Sequence, residues 1–447
     1  MPTDEAQAAS LLQAILADPA SDQPRLVYGD WLIERGDPAG ELIAVQCALA
    51  RLPRDAPEHQ KLTVRQNQLL KALARAWGAG WTFSRGELEL KHRVDHGVYH
   101  DMEQLRCRFG RGFIDHVDAQ YNVLRARIDW LVRAAPLLGS LRVRAYRGQV
   151  PALEAVGLLD RLPPLRALAV SHCGDSVELV RALAEGERFA PLRSLSLEYG
   201  HHNRRSDELE LLARSEVLAG LRELDLYTYG LSAEHVRQLA DARFRLRSLL
   251  LNDSALGVDG ARALCDSPAF GELEVLGLYN NGLEGEGVAA LAGSPHLGKL
   301  TSLDLRSNRI GRVGAEALGQ ASGLPSLRSL ALVGNSLDAA SVAALCGPGL
   351  TGVQELNLQH TRLTDEAIEA LVAAPDVCRG LRQLSLRSNR LTDASARLLA
   401  GCAGLAGLVE LNLNNNKGIG KAGIDALRAS PHLAHATIYV GNKALKR

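Results

Sequence analysis

The chain of 447 residues is longer than one ordinary domain, and its length fits about three domains or one elongated repeat array. Lysine plus arginine and aspartate plus glutamate both total 51, so the formal charge is zero. Without a long run of like charge, a nucleic-acid-binding role and a polybasic membrane patch are both disfavoured. Hydrophobic residues make up 46% of the chain but aromatic residues only 4%, so the predicted core is aliphatic.

The first 80 residues are predicted to form a small all-α domain. Leu11, Leu12, Ile15 and Leu16 share one stripe of a helix over residues 4–17. The sequence also predicts three further helices, at residues 24–35, 41–52 and about 57–77. No basic segment followed by a long apolar run marks a secretion signal, and no apolar run reaches the roughly 18 residues that span a bilayer. Together with seven scattered cysteines and no CxxC pair, these features predict a cytoplasmic protein.

Residues 81–110 are predicted to be a connector, and they hold the best metal-binding candidate in the sequence. His92, His96 and His100 are spaced so that a helix would place three imidazoles on one face. Gly97 lowers the helix propensity of this segment by about 1 kcal/mol. A polar connector is therefore the favoured interpretation. No metal or cofactor is predicted, and whether these histidines bind a metal stays open.

Residues 111–447 carry an internal repeat. The pattern L-x-x-L-x-L, or a close variant, recurs in twelve units from Leu138 to Leu433, with a mean step close to 27 residues. Of the 80 leucines, 63 lie in the last 311 residues. After each predicted strand an apolar residue is followed eight positions later by a leucine, as in Ile310 and Leu318, which predicts a helix of about ten residues. Because no unit can bury its leucines alone, the units are predicted to stack.

The predicted helices have two further regular features. Ser232, Asp338, Thr364 and Thr392 are placed to cap helix N-termini by accepting hydrogen bonds from the backbone. A small residue at the fourth place of most helices is expected to let neighbouring helices approach closely. These small residues are Gly260, Gly287, Gly314, Ser341, Ala367, Ser395 and Gly423.

The segment from Leu300 to Asn308 has the form L-x-x-L-x-L-x-x-N and resembles the ribonuclease-inhibitor class of leucine-rich repeats. The final asparagine recurs in other units as Asn281, Asn335, Asn389 and Asn416, and it is replaced by Gly200, Tyr229, Ser254 and Thr361. This resemblance covers about residues 111–447. It implies an α/β fold, a horseshoe-shaped solenoid with a parallel sheet on its concave side and helices outside. Residues 112–119 and 433–440 are predicted to be the first and closing strands.

The segment from Pro24 to Glu41, PRLVYGDWLIERGDPAGE, resembles a short helical companion domain that precedes leucine-rich repeats in some bacterial proteins. This resemblance covers about residues 8–52, and it implies a bacterial source and this pairing of domains but no reaction. Its acidic residues, Asp30, Glu34 and Asp37, are interpreted as caps and solvated positions.

Catalytic motifs are weak, and the chain is not predicted to be an enzyme. Residues 418–423 spell GxGxxG, but equivalent glycines recur in sister units, so they are predicted to serve turns and helix packing. Lys421 is not followed by serine or threonine, so the P-loop pattern fails. No G-x-S-x-G nucleophile elbow is present. Cys265 and Cys346 each follow a helix leucine and are predicted to be small buried hydrophobes.

The remaining surface is the predicted concave face, formed by residues that alternate with the buried leucines. It combines charges with tyrosines, and tyrosine and arginine are enriched at interface hot spots. Tyr227, Tyr229 and Tyr279 are expected in adjacent units. The predicted partner-binding residues are Tyr227, Tyr229, Tyr279, Asp304, Arg306, Glu355, Gln359, Arg387 and Glu410.

The sequence therefore predicts a non-enzymatic scaffold that binds a protein partner on this concave face. The alternative is a regulator or activator of a small GTPase, because similar horseshoes include such activators. That role calls for an arginine or asparagine at a loop edge, and Arg309, Arg312 and Arg390 are the candidates. Neither a nucleic acid nor a membrane is predicted as a partner, and the sequence leaves the oligomeric state open.

Overall fold

The computed structural model describes residues 4–78, 80–84, 86–96, 99–144, 152–173, 177–199, 206–227, 230–441 and 443–445. The chain divides into two compact units, residues 1–198 and residues 199–447.

The first unit begins with four helices, which confirms the helices predicted from periodicity. They are α1 (Asp4–Ala17), α2 (Gln23–Ile33), α3 (Pro38–Arg51) and α4 (Pro57–Ala76). Proline near the start suits α3 and α4 because its missing N–H has no helical partner there. Ile15, Leu32, Ile43 and Cys47 bury together with Phe113, which lies in a strand that follows later in the chain. Helices α1 to α3 thus share one core with the strand that contains Phe113.

Three strands occupy the stretch that was expected to be a connector. They are β1 (Trp81–Ser84), β2 (Glu87–His96) and β3 (Tyr99–Gly110), and they pair antiparallel in that order. The cause is visible in the alternation of buried residues, since Leu88, Leu90, Leu105 and Cys107 point inward while their sequence neighbours are polar. The pattern was missed although it is local, since only two residues separate β2 from β3 and His96 lies opposite Tyr99.

The histidine candidates lie on these strands and not on a helix. His92 and His96 belong to β2 and His100 to β3, with His100 opposite Asp95 in the antiparallel register. The helical spacing that would have placed three imidazoles on one face is therefore wrong as a description of this backbone. The side chains of residues 91–103 lie outside the described part of the structure, so metal binding at this place stays untested.

Parallel strands follow in the first unit. They and the helices between them are β4 (Phe113–Gln120), α5 (Tyr121–Ala134), β5 (Ser140–Arg144), α6 (Ala152–Leu159), β6 (Ala167–Cys173), α7 (Val177–Glu185) and β7 (Ser194–Tyr199). β4 pairs antiparallel with β3 and parallel with β5, and β5 pairs parallel with β6. β4 therefore confirms the first strand predicted at residues 112–119 and marks the change from antiparallel to parallel pairing.

The second unit repeats a short strand and a helix. Its strands are β8 (Glu223–Tyr227), β9 (Ser248–Leu250), β10 (Val275–Gly277), β11 (Ser302–Asp304), β12 (Ser329–Ala331), β13 (Glu355–Asn357), β14 (Gln383–Ser385), β15 (Glu410–Asn412), β16 (Thr437–Val440) and β17 (Lys443–Ala444). Its helices are α8 (Ser206–Arg214), α9 (Ala233–Ala240), α10 (Gly257–Asp266), α11 (Glu284–Ala292), α12 (Gly311–Gly319), α13 (Ala339–Leu345), α14 (Asp365–Val372), α15 (Pro375–Gly380), α16 (Asp393–Gly401) and α17 (Lys421–Ala429).

Strands β8 to β16 pair in parallel with their sequence neighbours, and β17 adds one antiparallel strand at the end. The register places the leucines in rows, with Leu276, Leu303 and Leu330 opposite one another and each at most 1% exposed. Burial of each such side chain is worth about 1.5–3 kcal/mol. The predicted class is therefore confirmed: an α/β leucine-rich-repeat solenoid preceded by a helical N-terminal region. The closing strand predicted at residues 433–440 is β16.

A row of buried asparagines holds the turns that follow the strands. The Asn308 amide donates to the carbonyl of Leu278 at 2.7 Å, and its side-chain oxygen accepts from the backbone N–H groups of Asn281 at 3.0 Å and Leu283 at 3.3 Å. Asn335 makes the same contacts one unit later. Where Thr361 replaces asparagine, its hydroxyl donates to Leu358 O at 2.7 Å. These bonds satisfy backbone groups that the turn removes from water.

The helix caps and small residues largely follow the prediction. Asp338 and Thr392 accept from the backbone N–H groups of their helices, and Ser232 forms a capping box with His235, whereas Thr364 makes no side-chain cap, so that prediction was wrong. A Cβ added at Gly423 would lie 2.9 Å from Cβ of Ala396 on the preceding helix. Gly423, the last glycine of the GxGxxG segment, therefore serves helix packing.

Asp365 is the first residue of α14, and its side chain caps the N-terminus of α16. Its carboxylate accepts from Thr392 N at 3.0 Å and from Ser395 N at 3.2 Å. Burial on its own raises the pKa of Asp365, but hydrogen bonds from Ser395 and Thr392 outweigh it, so the pKa is lowered. The charged form is thus favoured in the folded protein.

The variant Asp365→Ala is expected to lower the free energy of unfolding by about 1 kcal/mol at pH 7, because the N-terminus of α16 loses its acceptor. Since the folded pKa lies below the unfolded value of about 3.9, this stabilisation is complete above about pH 4 and is lost as the pH falls through the folded pKa. Urea titrations of both proteins from pH 7 to pH 3 measure the difference. A difference that grows on acidification would contradict this assignment.

Candidate functional site

The second unit exposes one face of its sheet, on the side opposite the buried leucines. We call it the open sheet face, and it comprises three columns of side chains aligned by the strand register. The first column is Glu223, Ser248, Val275, Ser302, Ser329, Glu355, Gln383, Glu410 and Thr437. The second is Asp225, Leu250, Gly277, Asp304, Ala331, Asn357, Ser385, Asn412 and Tyr439. The third, two residues further along, is Tyr227, Asn252, Tyr279, Arg306, Val333, Gln359, Arg387 and Asn414.

The best-organised group on this face is formed by Tyr279, Asp304 and Arg306. The Arg306 side chain donates to Asp304 at 2.7 and 2.8 Å, and its guanidinium carbon lies 5.0 Å from the centre of the Tyr279 ring. The hydrogen bond to Asp304 raises the pKa of Arg306. Both contacts hold the arginine in one orientation before any partner arrives, so less side-chain entropy is lost on binding.

Apolar and small residues flank this group, and sequence reasoning missed them because only polar residues between the leucines were considered. Leu250 and Val333 are half-buried on either side of the charged pair. Gly277 creates the space for Leu250, since an added Cβ would lie 2.7 Å from its Cδ2 atom. A partner that covers this area would exclude water from the Asp304–Arg306 pair and strengthen its electrostatic interactions.

The other predicted residues lie where the register places them. Glu355 and Glu410 flank Gln383 in the first column, and the Ser329 hydroxyl donates to Glu355 at 3.0 Å. In the third column the Gln359 amide donates to the Ser385 hydroxyl at 2.9 Å. Their outcome as binding residues stays a prediction.

The remaining predicted binding residues are one arginine and three tyrosines, and their structural outcomes differ. Arg387 is exposed and follows Gln359 in the third column. Tyr227 and Tyr279 are not in adjacent units, because β9 lies between their strands and places Asn252 between them. With strands about 4.8 Å apart, the two tyrosines are separated by roughly 10 Å. Tyr229 lies outside the described residues.

Charge is unevenly distributed over the open sheet face. The first two columns carry the carboxylates Glu223, Asp225, Asp304, Glu355 and Glu410, whereas the third column carries both guanidinium groups of the face. The start of the strands is therefore acidic and their end is basic.

The part of the chain that the structure describes offers no metal site and no membrane-spanning helix. Within it, no group of three histidine, cysteine, aspartate or glutamate side chains could hold a metal ion. Cys265 is buried and its pKa is raised to about 12 by burial, which disfavours a reactive thiolate there. None of the described helices is both long and apolar enough to cross a membrane.

The comparison with protein families agrees with the repeat. The leucine-rich repeat family model matches residues 296–319 and 351–372. A solved structure of the Rad7 and Elc1 complex in yeast shares 16% identity, with a TM-score of 0.49, covering 100% of this chain and 96% of that chain. An internalin, InlF of Listeria monocytogenes, shares 16% identity, with a TM-score of 0.41, covering 73% of this chain and 86% of that chain. No curated protein is significantly similar to this chain in sequence. The match to the family model shows that the chain carries leucine-rich repeats.

Proposed function

We propose that this protein is a non-enzymatic scaffold of the ribonuclease-inhibitor type, which binds a protein partner on the open sheet face of its second unit. The observation that carries the proposal is the group of Tyr279, Asp304 and Arg306 between apolar flanks. A tyrosine and an arginine held in place within an apolar surround have the composition of an interface hot spot. The rest of the repeat supplies a surface that is already ordered.

The distribution of charge indicates how such a partner would be oriented. Glu355 and Glu410 at the start of the strands are suited to lysine or arginine side chains of a partner. Arg387 at the end of the strands is suited to a carboxylate, which a planar guanidinium can bind through two hydrogen bonds. These outlying charges are expected to set orientation and association rate, while Tyr279 and Arg306 supply most of the affinity.

The resemblance of the N-terminal helices to a bacterial companion domain extends the proposal. The helical region of residues 1–80 would then be a companion domain of a bacterial, cytoplasmic protein. Its tight packing against Phe113 indicates a structural role at the start of the repeats. The GTPase-activator alternative has weaker support, because exposed arginines such as Arg309 and Arg390 are common on any surface.

A photo-crosslinking experiment tests the proposal. A benzophenone amino acid replaces Tyr279 in one protein and the exposed Val313 of α12 in a matched control, and both are irradiated in lysate of the source organism. We expect one defined protein to be linked at position 279 and not at position 313. The same protein linked equally at both positions, or none at position 279, would count against the open sheet face as the binding site.

Substitution of the arginine gives the second readout. Once the linked protein is purified, Arg306→Glu is expected to weaken its binding by about 30-fold or more, as is typical of a hot spot. Arg262→Glu on α10 makes the same charge change on the helical side and should change the affinity less than about threefold. Calorimetric titration measures both. Stimulated GTP hydrolysis by a purified small GTPase, abolished by Arg309→Ala, would instead establish the alternative.

A further inference from the structure

Two cysteines from neighbouring repeat units meet on the helical side of the second unit. Cys378 lies in α15, and Cys402 follows α16 at the start of a 3-10 turn, Ala403–Gly407. They are brought together by Gly404: a Cβ added there would lie 2.8 Å from Cβ of Cys378 and 3.6 Å from Sγ of Cys402. The missing side chain of Gly404 thus leaves room for the two thiols to interact.

The two thiols are not equivalent. Cys402 lines an open cleft of about 840 Å³ between α14 and α16, whereas Cys378 is fully buried and does not line the cleft. The Cys378 thiol has one proton and two acceptors that compete for it, the carbonyl of Leu371 at 3.3 Å and the sulfur of Cys402. Cys402 is 9% exposed and Cys378 is 0% exposed, so a small molecule in the cleft meets Cys402 first.

The protonation of the pair follows from these contacts. The hydrogen bond from Cys378 lowers the pKa of Cys402; burial opposes this effect, and backbone N–H groups of Gly404 and Leu405 add to it. The same hydrogen bond, together with burial, raises the pKa of Cys378. Cys402 is thus the member of the pair that loses its proton more readily, and the thiolate is the form that reacts.

The charges of the residues that line the cleft determine which oxidants can enter it. The cleft is lined by three carboxylates, those of Asp365, Glu366 and Glu369, and by one cation, Arg397. The net negative charge of the cleft repels anionic oxidants such as glutathione disulfide. Hydrogen peroxide is small and neutral, so the charge of the cleft does not repel it.

We propose that Cys378 and Cys402 form a peroxide-sensitive dithiol, in which Cys402 is the attacking residue and Cys378 the resolving residue. The Cys402 thiolate attacks one peroxide oxygen, the O–O bond breaks, and the leaving hydroxide takes a proton to become water. Cys402 is then a sulfenic acid, oxidised by two electrons. The Cys378 sulfur attacks the Cys402 sulfur, the S–O bond breaks, and the Cys378 proton leaves with the hydroxide as a second water. The product is a disulfide between two repeat units.

This site lies on the helical side, so it is independent of the proposed binding function. Hydrogen peroxide is added to the folded full-length protein, remaining thiols are alkylated, and tryptic peptides are weighed. Cleavage after Arg362, Arg379, Arg397 and Lys417 leaves Cys378 and Cys402 on separate peptides with one cysteine each. We expect one cross-linked pair that is two hydrogens lighter than the two peptides and that reduction separates.

The variant Cys378→Ser tests the division of roles, because it removes the resolving sulfur but keeps a hydrogen-bond donor. Dimedone, which traps sulfenic acids, is expected to label Cys402 in this variant at least about tenfold more than Cys265, a buried thiol of the same unit. In Cys402→Ser, Cys378 should stay unlabelled. Absence of the cross-link in folded wild type, equal yields in folded and urea-unfolded protein, or labelling of Cys378 in Cys402→Ser would each overturn the proposal.

Discussion

Gly112→Ala is expected to destabilise the first unit by about 3–4 kcal/mol, because alanine meets both strain and a clash there. Gly112 has a φ of +90°, and an added Cβ would lie 2.1 Å from Cγ1 and 2.5 Å from Cα of Ile43 in α3. A clash with backbone cannot be relieved by a change of rotamer, so α3 would have to move. That movement would also break the 2.6 Å bond from Gly112 N–H to the Gln46 side chain.

The four tryptophans, Trp31, Trp77, Trp81 and Trp130, all lie in the first unit, so their fluorescence during urea unfolding reports on that unit alone. The midpoint should fall markedly in Gly112→Ala. Gly157→Ala in α6 is the matched control, because an added Cβ meets nothing within 4 Å. It should be neutral or slightly stabilising. A similar midpoint for both variants would show that α3 does not pack on this turn as described.

Asn308→Ala is expected to destabilise the second unit by about 3 kcal/mol or more. The fully buried Asn308 side chain accepts from two backbone N–H groups and donates to the carbonyls of Leu278 and Arg306. Alanine would leave these four groups without their partner in an interior that water does not reach. Each unsatisfied group costs about 1–3 kcal/mol, reduced by whatever relaxation the turn allows.

Far-UV circular dichroism during urea unfolding measures this effect, since the second unit contains no tryptophan. Asn412→Ala is the matched control: Asn412 is half-buried on the open sheet face and accepts one bond, from Asn414 N at 3.1 Å. Its cost should stay below about 1 kcal/mol. Tryptophan fluorescence of Asn308→Ala is also followed during unfolding, because it reports on the first unit alone. Equal losses of stability in Asn308→Ala and Asn412→Ala would rule out the buried asparagine row as the support of the turns.

The candidate site could be predicted only in part from the sequence. The alternation of leucines identified Asp304, Arg306 and Tyr279 as members of one face, since alternation is a local property of any strand. It did not show that Arg306 would pair with Asp304 and cover Tyr279, because those contacts depend on side-chain orientation across two strands. The apolar flanks at Leu250 and Val333 were missed for a related reason. Leu250 and Val333 matter because they lie beside the group of Tyr279, Asp304 and Arg306, which only the folded structure shows.

The sequence by itself determined the repeat, because a fixed spacing of leucines and asparagines is compatible with one kind of stacked unit. It also determined the four N-terminal helices, whose signals are local. The tertiary structure alone decided the antiparallel strands at residues 81–110 and the meeting of Cys378 with Cys402. The strands pair with their neighbours along the chain, as at His96 and Tyr99, and the two cysteines come from stacked repeat units. Local propensity alone specifies neither contact. Stacking in register creates such contacts, and a one-residue change of register would remove them.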